Sequence, residues 1–255
     1  MDLRHGGTVS AVVLLILVMF FAAPVTRVSH AADQRVQVVI IGGSAAAGWH
    51  DETGEGYVVR ALKAYARYVR AGIAIQNQAV PGSSVVNPAI AAGWPLWMAG
   101  TRSGIAVIAW GFLNDLRLGT RPAAIVREIR WEIGVALRTR HVVFVVSPPA
   151  TTPSFTFYAK EQQALWGAVA RMAASLHNPD VHVLDVMDPM KAYIVAHHQN
   201  PARYMAGAWD PDTAGHELAA RILLQRMEED FGSFLPSFRP TGGRGPARVR
   251  GLLLS

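Results

Sequence analysis

The chain has 255 residues, of which 51% are hydrophobic and 16% charged, and it contains no cysteine. This length is sufficient for one domain with a full core, and the composition excludes an intrinsically disordered protein. The absence of cysteine excludes disulfide bonds, a cysteine nucleophile and thiolate metal sites. The net charge of +6 lies mostly at the chain ends, which leaves the segment 32–231 close to neutral. This distribution argues against a nucleic-acid partner.

The N-terminus has the features of a targeting segment. Arg4 and His5 precede the apolar run Ala11–Val25, which has the length of a signal-peptide core and is short for a membrane-spanning helix. Ser29-His30-Ala31 offers small residues at the two positions that a signal peptidase reads. We therefore predict a signal peptide over residues 1–31 and a secreted or extracytoplasmic protein. An uncleaved N-terminal membrane anchor is the alternative.

The C-terminal segment 232–255 is rich in glycine, proline and arginine and contains no acidic residue. Such a composition is typical of a disordered tail, which places the folded domain at residues 32–231. A second interpretation is that the basic tail, like the leader, brings the protein close to a membrane or to anionic cell-wall polymer.

Apolar runs alternate with segments of helical periodicity throughout the domain. The short, β-branched runs predict strands over Val36–Ile41, Ile73–Asn77, Ile105–Trp110, His141–Val146 and Val181–Asp185. Apolar residues at helical spacing predict helices over Tyr57–Val69, Ala123–Leu137, Lys160–Leu176, Pro189–His198 and Thr213–Phe231. This alternation predicts a three-layer α/β/α sandwich with a five-stranded parallel sheet, of the flavodoxin-like kind.

In such sheets the active site lies beyond the carboxyl ends of the strands. Ser44 directly follows the first predicted strand and is a candidate nucleophile, since a serine at a helix start lies beside free backbone N–H groups. Gly82 after the second strand and Asn114 after the third are candidate donors of hydrogen bonds to an oxyanion. Taken singly, each residue is also compatible with an ordinary cap or turn.

The order of these residues resembles the SGNH/GDSL hydrolases over approximately residues 36–231. Ile41-Gly42-Gly43-Ser44 is similar to the Gly-Asp-Ser block of that family, with Gly43 in place of the usual aspartate. The segment 77–84, with Gly82, resembles the second block, and Gly111-Phe112-Leu113-Asn114-Asp115 resembles the Gly-x-Asn-Asp block with one extra residue. The resemblance implies that Ser44 is the nucleophile and that Ser44, Gly82 and Asn114 form the oxyanion hole.

The fourth block of the family, Asp-x-x-His-Pro, is altered in this chain. Pro211 and the Gly215-His216 pair match the family pattern at the start of the last helix, which places Asp210 at the usual histidine position and Gly207 at the usual aspartate position. His216 is a candidate for a relocated base, although its position in the family is structural. Asp210 is a second candidate, although a carboxylate is a weak base toward a hydroxyl unless burial raises its pKa.

We therefore expect an exported serine esterase or acyl hydrolase that acts through a Ser44 acyl-enzyme, or alternatively a catalytically impaired protein that binds acylated glycan or lipid at the cell envelope. A histidine within hydrogen-bonding reach of Ser44 would favour the enzyme, and Asp210 alone at Ser44 would favour the binding protein. The expected partner is a small-molecule, glycan or lipid ester. We expect no cofactor and no metal, since no residues have metal-ligand spacing and no dinucleotide or P-loop pattern is found. We also expect a monomer.

Overall fold

The structure, a computed structural model, describes residues 35–101 and 103–233. The predicted signal peptide and all but the first two residues of the predicted tail lie outside the described residues, so both remain predictions. The described chain forms one five-stranded parallel sheet with strand order β2-β1-β3-β4-β5. The strands are β1 Val36–Gly42, β2 Ile73–Asn77, β3 Ile105–Ala109, β4 Val142–Val146 and β5 Val181–Leu184.

Helices flank the sheet, which confirms the predicted α/β/α architecture. They are α1 Ser44–Ala47, α2 Gly56–Tyr68, α3 Pro88–Gly100, α4 Leu113–Arg117, α5 Pro122–Arg138, α6 Thr152–Phe155, α7 Ala159–Ser175, α8 Met187–Ala196 and α9 Thr213–Phe231, with a 3₁₀ turn at Pro201–Tyr204. Helix α2 packs against α9, while α3 packs against α5 and α5 against α7. No helix in the described part of the chain combines the length and the apolar character needed to cross a membrane.

The core lies between the central strands and the apolar faces of these helices. All residues of β3 and β4 are buried, as expected for parallel strands covered on both faces. On α5, Ile125, Ile129 and Ile133 are buried in a single stripe. Burial of each such side chain stabilises the fold by about 1.5–3 kcal/mol, so these stripes hold the helices on the sheet.

The strands β1 and β3 approach each other closely where β1 ends. Gly42 is paired with Ala109, and a Cβ atom on Gly42 would lie 2.2 Å from the Ala109 carbonyl oxygen. A Cβ atom on Gly43 would instead lie 3.7 Å from its nearest neighbour, the Ser83 carbonyl oxygen. The first glycine is therefore required by the packing of the sheet, whereas the second is not.

His216 is the fourth residue of α9 and is fully buried. Its Nδ1 atom accepts a hydrogen bond from the Tyr57 N–H (3.2 Å), and its Nε2–H donates to the Trp49 carbonyl oxygen (3.0 Å). These partners require the neutral tautomer with the proton on Nε2. Both nitrogens are thus occupied by backbone groups, so of the two alternatives that the sequence leaves open for His216, these contacts fit the structural one and not a relocated base. The side chain joins α9 to the loop after α1 and to the start of α2.

We expect the substitution Gly42→Ala to destabilise the protein by about 2 kcal/mol, because its Cβ atom would collide with backbone of β3. The matched control Gly43→Ala changes the same residue type one position later, where the new methyl group meets only ordinary contacts. Thermal unfolding followed by circular dichroism measures both variants. Equal losses of melting temperature would contradict the close approach of β1 and β3 at Gly42.

The His216 contacts predict a pH-dependent stability. Burial lowers the pKa of His216 below its usual value, so the unfolded chain takes up a proton near pH 6.5 that the native protein does not. We expect wild type to exceed His216→Gln by about 2 kcal/mol in free energy of unfolding above pH 7. This advantage should shrink by up to about 1.4 kcal/mol per pH unit as the pH falls below 6.5.

Urea unfolding at several pH values between 5 and 8 measures this difference. The control variant His198→Asn replaces an exposed histidine outside the core and is measured over the same pH range. An advantage of wild type over His216→Gln that stays constant across this range would contradict the neutral, buried imidazole.

Candidate active site

A cavity of about 540 Å³ opens at the carboxyl ends of β1 to β4. Its walls come from the loops that follow these strands and from the loop before α9. The residues that line it include four of the five predicted site residues, Ser44, Gly82, Asn114 and Asp210, together with Trp49, Arg117, Pro148, Pro149, Thr151, Gln162 and Trp209. The parallel sheet thus brings together residues that are up to 166 positions apart in the chain.

Ser44 is the first residue of α1 and follows β1 after the single residue Gly43. Gly43 is the N-cap residue of α1, has extended backbone and offers no side chain to cap the helix. Ser44 lines the cavity. The Ser44 Oγ–H donates a hydrogen bond to Asp210 Oδ1 at 2.5 Å. This distance is at the short end for a hydroxyl and a carboxylate, which is typical of a charge-assisted bond.

Gly82 lies in a tight turn after β2. The Ser83 N–H donates to the Val80 carbonyl oxygen (3.1 Å), Pro81 occupies the second position of the turn, and Gly82 has φ = 77°. This is the arrangement of a type II turn, in which the third position requires positive φ and hence favours glycine. The turn places the backbone of Gly82 at the wall of the cavity.

Asn114 lies on the short helix α4 after β3, and Phe112, at φ = 66°, immediately precedes that helix. A buried aromatic residue rarely adopts positive φ, and here it accommodates the extra residue between Gly111 and Asn114. The Asn114 Nδ2 group donates to the Ser83 carbonyl oxygen at 3.1 Å. Its second amide N–H has no partner among the described residues and is available to a ligand in the cavity.

Asp115, the next residue, also connects the loop after β3 with the loop after β2. It is buried, and its two carboxylate oxygens accept the Val85 N–H at 3.1 and 3.2 Å. Burial raises the pKa of Asp115 to about 6, although the hydrogen bond from Val85 opposes this shift. The loops that carry Gly82 and Asn114 are thus joined by two adjacent contacts, one from Asn114 to Ser83 and one from Asp115 to Val85.

The loop that carries Asp210 has its own closed geometry. An antiparallel bridge pairs Met205 with Pro211, and the Ala206 N–H donates to the Asp210 carbonyl oxygen at 3.0 Å. Within this loop Gly207 has φ = 98°, a conformation that residues with a side chain rarely adopt. The resemblance places the family's orienting aspartate at Gly207, whose backbone favours glycine, and the family's histidine at Asp210, whose carboxylate contacts Ser44.

No histidine is among the described residues that line the cavity. Gln162 also lines the cavity, although it was not among the predicted site residues. It is fully buried, and its Nε2–H donates to the Gly111 carbonyl oxygen at 3.0 Å. Ser154 in turn donates to Gln162 Oε1 at 2.6 Å. A glutamine near the start of a helix is usually exposed, so the sequence gives no signal for this contact. Within residues 35–101 and 103–233, no group of three or more His, Asp or Glu side chains is placed to hold a metal ion.

Solved structures with the same fold include the following two proteins. The acetylxylan esterase from Geobacillus stearothermophilus matches with a TM-score of 0.60 at 15% identity, over 75% of this chain and 94% of that one. A member of the lipolytic protein G-D-S-L family from Veillonella parvula matches with a TM-score of 0.58 at 14% identity, over 74% of this chain and 96% of that one. At these identities the likeness shows the fold alone.

No curated protein is significantly similar to the sequence. The family model of the GDSL-like lipase/acylhydrolase family, however, matches residues 40–218, which span the cavity from Ser44 through the Asp210 loop to His216. The family resemblance predicted from the sequence is thereby confirmed. The chain belongs to the GDSL-like lipase/acylhydrolase family.

Proposed function

We propose that the protein is an exported carboxylic ester hydrolase in which Ser44 is the nucleophile and Asp210 accepts its proton. The observation that carries this proposal is the cavity that brings Ser44 together with Gly82 and Asn114 at the ends of three strands. The 2.5 Å hydrogen bond from Ser44 Oγ to Asp210 Oδ1 gives the hydroxyl a carboxylate as proton acceptor where the family has a histidine. Membership of an acylhydrolase family supports ester hydrolysis as the reaction class. A nucleophile with a proton acceptor in contact is the minimum that acyl transfer requires.

In the first step, Ser44 Oγ forms a bond to the ester carbonyl carbon while its proton passes to Asp210. The carbonyl oxygen becomes an oxyanion, for which the N–H groups of Ser44 and Gly82 and the amide of Asn114 are the donors. Loss of one such donor in comparable sites costs about 3 kcal/mol of transition-state stabilisation. These donors therefore supply much of the rate even where the base is weak.

The tetrahedral intermediate then collapses: the ester C–O bond breaks, and Asp210 returns the proton to the departing alcohol. A water molecule repeats the sequence on the acyl-enzyme, with Asp210 taking a proton from the water. The bond between the acyl carbon and Ser44 Oγ then breaks, and Asp210 gives this proton to Ser44 Oγ. The acid product leaves, and the free hydroxyl of Ser44 is restored. Because the carboxylate contacts the serine directly, no imidazole is needed to carry the proton, although a carboxylate is the weaker base.

Export is a further part of the proposal. It is supported by the charged start, the apolar run 11–25 and the small residues before Ala32 in the sequence. N-terminal sequencing of the protein recovered from outside the cytoplasm tests cleavage after Ala31, and an intact Met1 on that material would support the anchored alternative.

A second candidate function is the binding of an ester without turnover. The observation that favours it is that Asp210, and no histidine, faces Ser44 among the described cavity residues. In this case the cavity would hold an acylated glycan or lipid at the cell envelope, and the hydrogen bond to Asp210 would hold the Ser44 hydroxyl in place. The two functions differ in whether an ester bond is broken.

The purified protein should hydrolyse p-nitrophenyl acetate and butyrate. We expect Ser44→Ala to reduce turnover to background and Asp210→Asn to lower kcat by about a hundredfold, because the amide cannot accept the serine proton. The matched control is Asp212→Asn, two residues later: Asp212 caps α9 by accepting the Gly215 N–H, and asparagine caps a helix equally well. Its turnover should stay within about twofold of wild type.

Two results would count against Ser44 and Asp210 as a nucleophile and its base. Turnover that depends on Ser44 but survives Asp210→Asn would remove Asp210 from the proton transfer. Wild-type turnover no higher than that of Ser44→Ala on both esters, with saturable binding of the ester, would establish the binding function instead.

The substitution Asp210→His tests the same position by its pH profile. A neutral imidazole is the active form of a histidine base, so kcat/KM of the variant should rise about tenfold between pH 5.5 and 7.5. Wild type should show a shallower rise over this range, because it has no histidine at Ser44. Identical profiles for the two proteins would show that residue 210 does not exchange a proton with Ser44.

A further inference from the structure

The outward side of helix α3 is apolar along its whole length. The helix buries Ile90, Trp94 and Met98 against the core, and its opposite side is open to solvent. The exposed residues on that side are Pro88, Ala89, Ala92, Pro95, Leu96, Ala99 and Gly100. Leu96 is 73% exposed, the largest value among the large apolar side chains that the structure describes. A surface helix of a globular domain normally directs polar side chains to the solvent, so this apolar side indicates a binding surface.

Helix α5, which packs beside α3, directs arginines to the solvent. Its buried stripe of Ile125, Ile129 and Ile133 lies toward β3 and β4. The exposed residues on its other side include Arg127, Arg130, Trp131 and Arg138, with Arg121 and Arg140 at the two ends of the helix. Acidic side chains do not balance this charge at the surface, because Glu132 is buried and Glu128 is half-buried. The solvent side of α5 is therefore basic.

Helices α3 and α5 form one continuous surface. The Trp94 Nε1–H donates a hydrogen bond to the Glu132 carbonyl oxygen at 2.9 Å, which joins the two helices. The connections from β2 to β3 and from β3 to β4 run in the same direction along the sheet, so right-handed crossovers place both helices on the same side of it. We call the exposed residues of α3, together with Trp131 and the five exposed arginines of α5 and its ends, the basic-apolar face.

The helices α2 and α9 carry a different distribution of charge. The connection from β1 to β2 runs in the opposite direction, which places α2 on the other side of the sheet, where it packs against α9. There the basic side chains form ion pairs, namely Arg60 with Asp51 and Glu217, Lys63 with Glu55, and Arg226 with Glu229. The five arginines of the basic-apolar face have no ion-pair partner within residues 35–101 and 103–233. Their charge is thus available to an external partner.

We propose that the basic-apolar face binds the surface of a membrane that contains anionic lipids. Guanidinium groups form charge-assisted hydrogen bonds with lipid phosphates. Leu96 and its apolar neighbours on α3 can enter the boundary between head groups and acyl chains, where tryptophan side chains such as Trp131 are also favoured. An anionic lipid surface offers negative charge and apolar volume side by side, and the basic-apolar face presents the complement of both.

Two other partners match only part of this face. A water-soluble polyanion such as a nucleic acid would pair with the arginines but would leave Leu96 and the rest of α3 exposed. A second copy of the chain, docked through the same face, would place arginines against arginines, which repel each other. Charge and hydrophobicity together therefore favour the membrane. The proposal depends neither on the proposed hydrolase function nor on the predicted leader and tail.

Because the chain contains no cysteine, a single position of the face can be labelled selectively. The full chain with Leu96→Cys, carrying the environment-sensitive fluorophore NBD, is mixed with vesicles of equal parts phosphatidylcholine and phosphatidylglycerol. We expect the emission to rise about threefold, because the label enters an apolar environment. Vesicles of phosphatidylcholine alone should give less than about half of this rise, since they offer the arginines no net negative charge.

The matched control is Val195→Cys with the same label. Val195 is 64% exposed and lies on α8, which packs against α9 and is not part of the basic-apolar face. Its emission should stay unchanged with both kinds of vesicle. This control separates the face from the two chain ends, since a chain held only through its leader or tail has no reason to place position 96 in lipid and keep position 195 in water.

The role of the arginines is tested in the labelled Leu96→Cys chain. The pair Arg127→Gln and Arg130→Gln should weaken association with the anionic vesicles by about 25-fold, because each arginine near such a surface contributes about fivefold in affinity. The matched pair Arg67→Gln and Arg221→Gln removes the same charge from exposed positions of α2 and α9. It should change the affinity by less than about twofold.

Emission at position 96 that does not rise with anionic vesicles would overturn the proposal. Equal rises at positions 96 and 195, or equal weakening by the two pairs of arginine substitutions, would also overturn it, because the binding would then come from the chain ends or from overall charge. A label at position 96 that responds to double-stranded DNA and not to vesicles would assign the face to a soluble polyanion instead. None of these readouts requires an ester to be hydrolysed, so the proposed hydrolase function can fail without affecting them.

Discussion

The position of β1 between β2 and β3 is the constraint on which the rest of the site depends. In a parallel sheet all carboxyl ends meet at one edge, so the order β2-β1-β3 places the serine loop between the two loops that carry the candidate oxyanion donors. The close pairing of Gly42 with Ala109 holds that order at the last residue of β1. The contacts of Asn114 with Ser83 and of Asp115 with Val85 then join the two outer loops to each other.

Most of the fold could be predicted from the sequence because its elements are buried in simple patterns. Strands covered on both faces are continuous apolar runs, and the strand and helix limits differ from the predicted ones by at most two residues. Helix α3 was not predicted, since Gly93 and Pro95 lie inside it. It forms because Asn87 caps its start and because Trp94 and Met98 are fully buried, so tertiary packing outweighs the local cost of the proline.

The candidate site was less predictable than the fold, and for a physical reason. Ser44, Gly82 and Asn114 each follow a strand, so the sheet alone determines that they meet. Asp210 instead depends on a loop closed by the bridge between Met205 and Pro211, which no periodicity in the sequence indicates. The sequence left His216 open as a base because its partners, Trp49 and Tyr57, are some 160 residues away and offer backbone groups that any sequence could provide.

The backbone of Gly207 has a consequence for how this candidate site can change in evolution. A side chain at φ = 98° costs about 1–3 kcal/mol, so an aspartate introduced at this position lowers stability while no histidine is present for it to orient. A histidine introduced first at position 210 has no carboxylate to orient it and displaces the one that contacts Ser44. Neither substitution is useful before the other, and the loop must change shape as well. Acquisition of the family's usual pair one substitution at a time is therefore disfavoured, and changes around the existing contact between Ser44 and Asp210 are the shorter route.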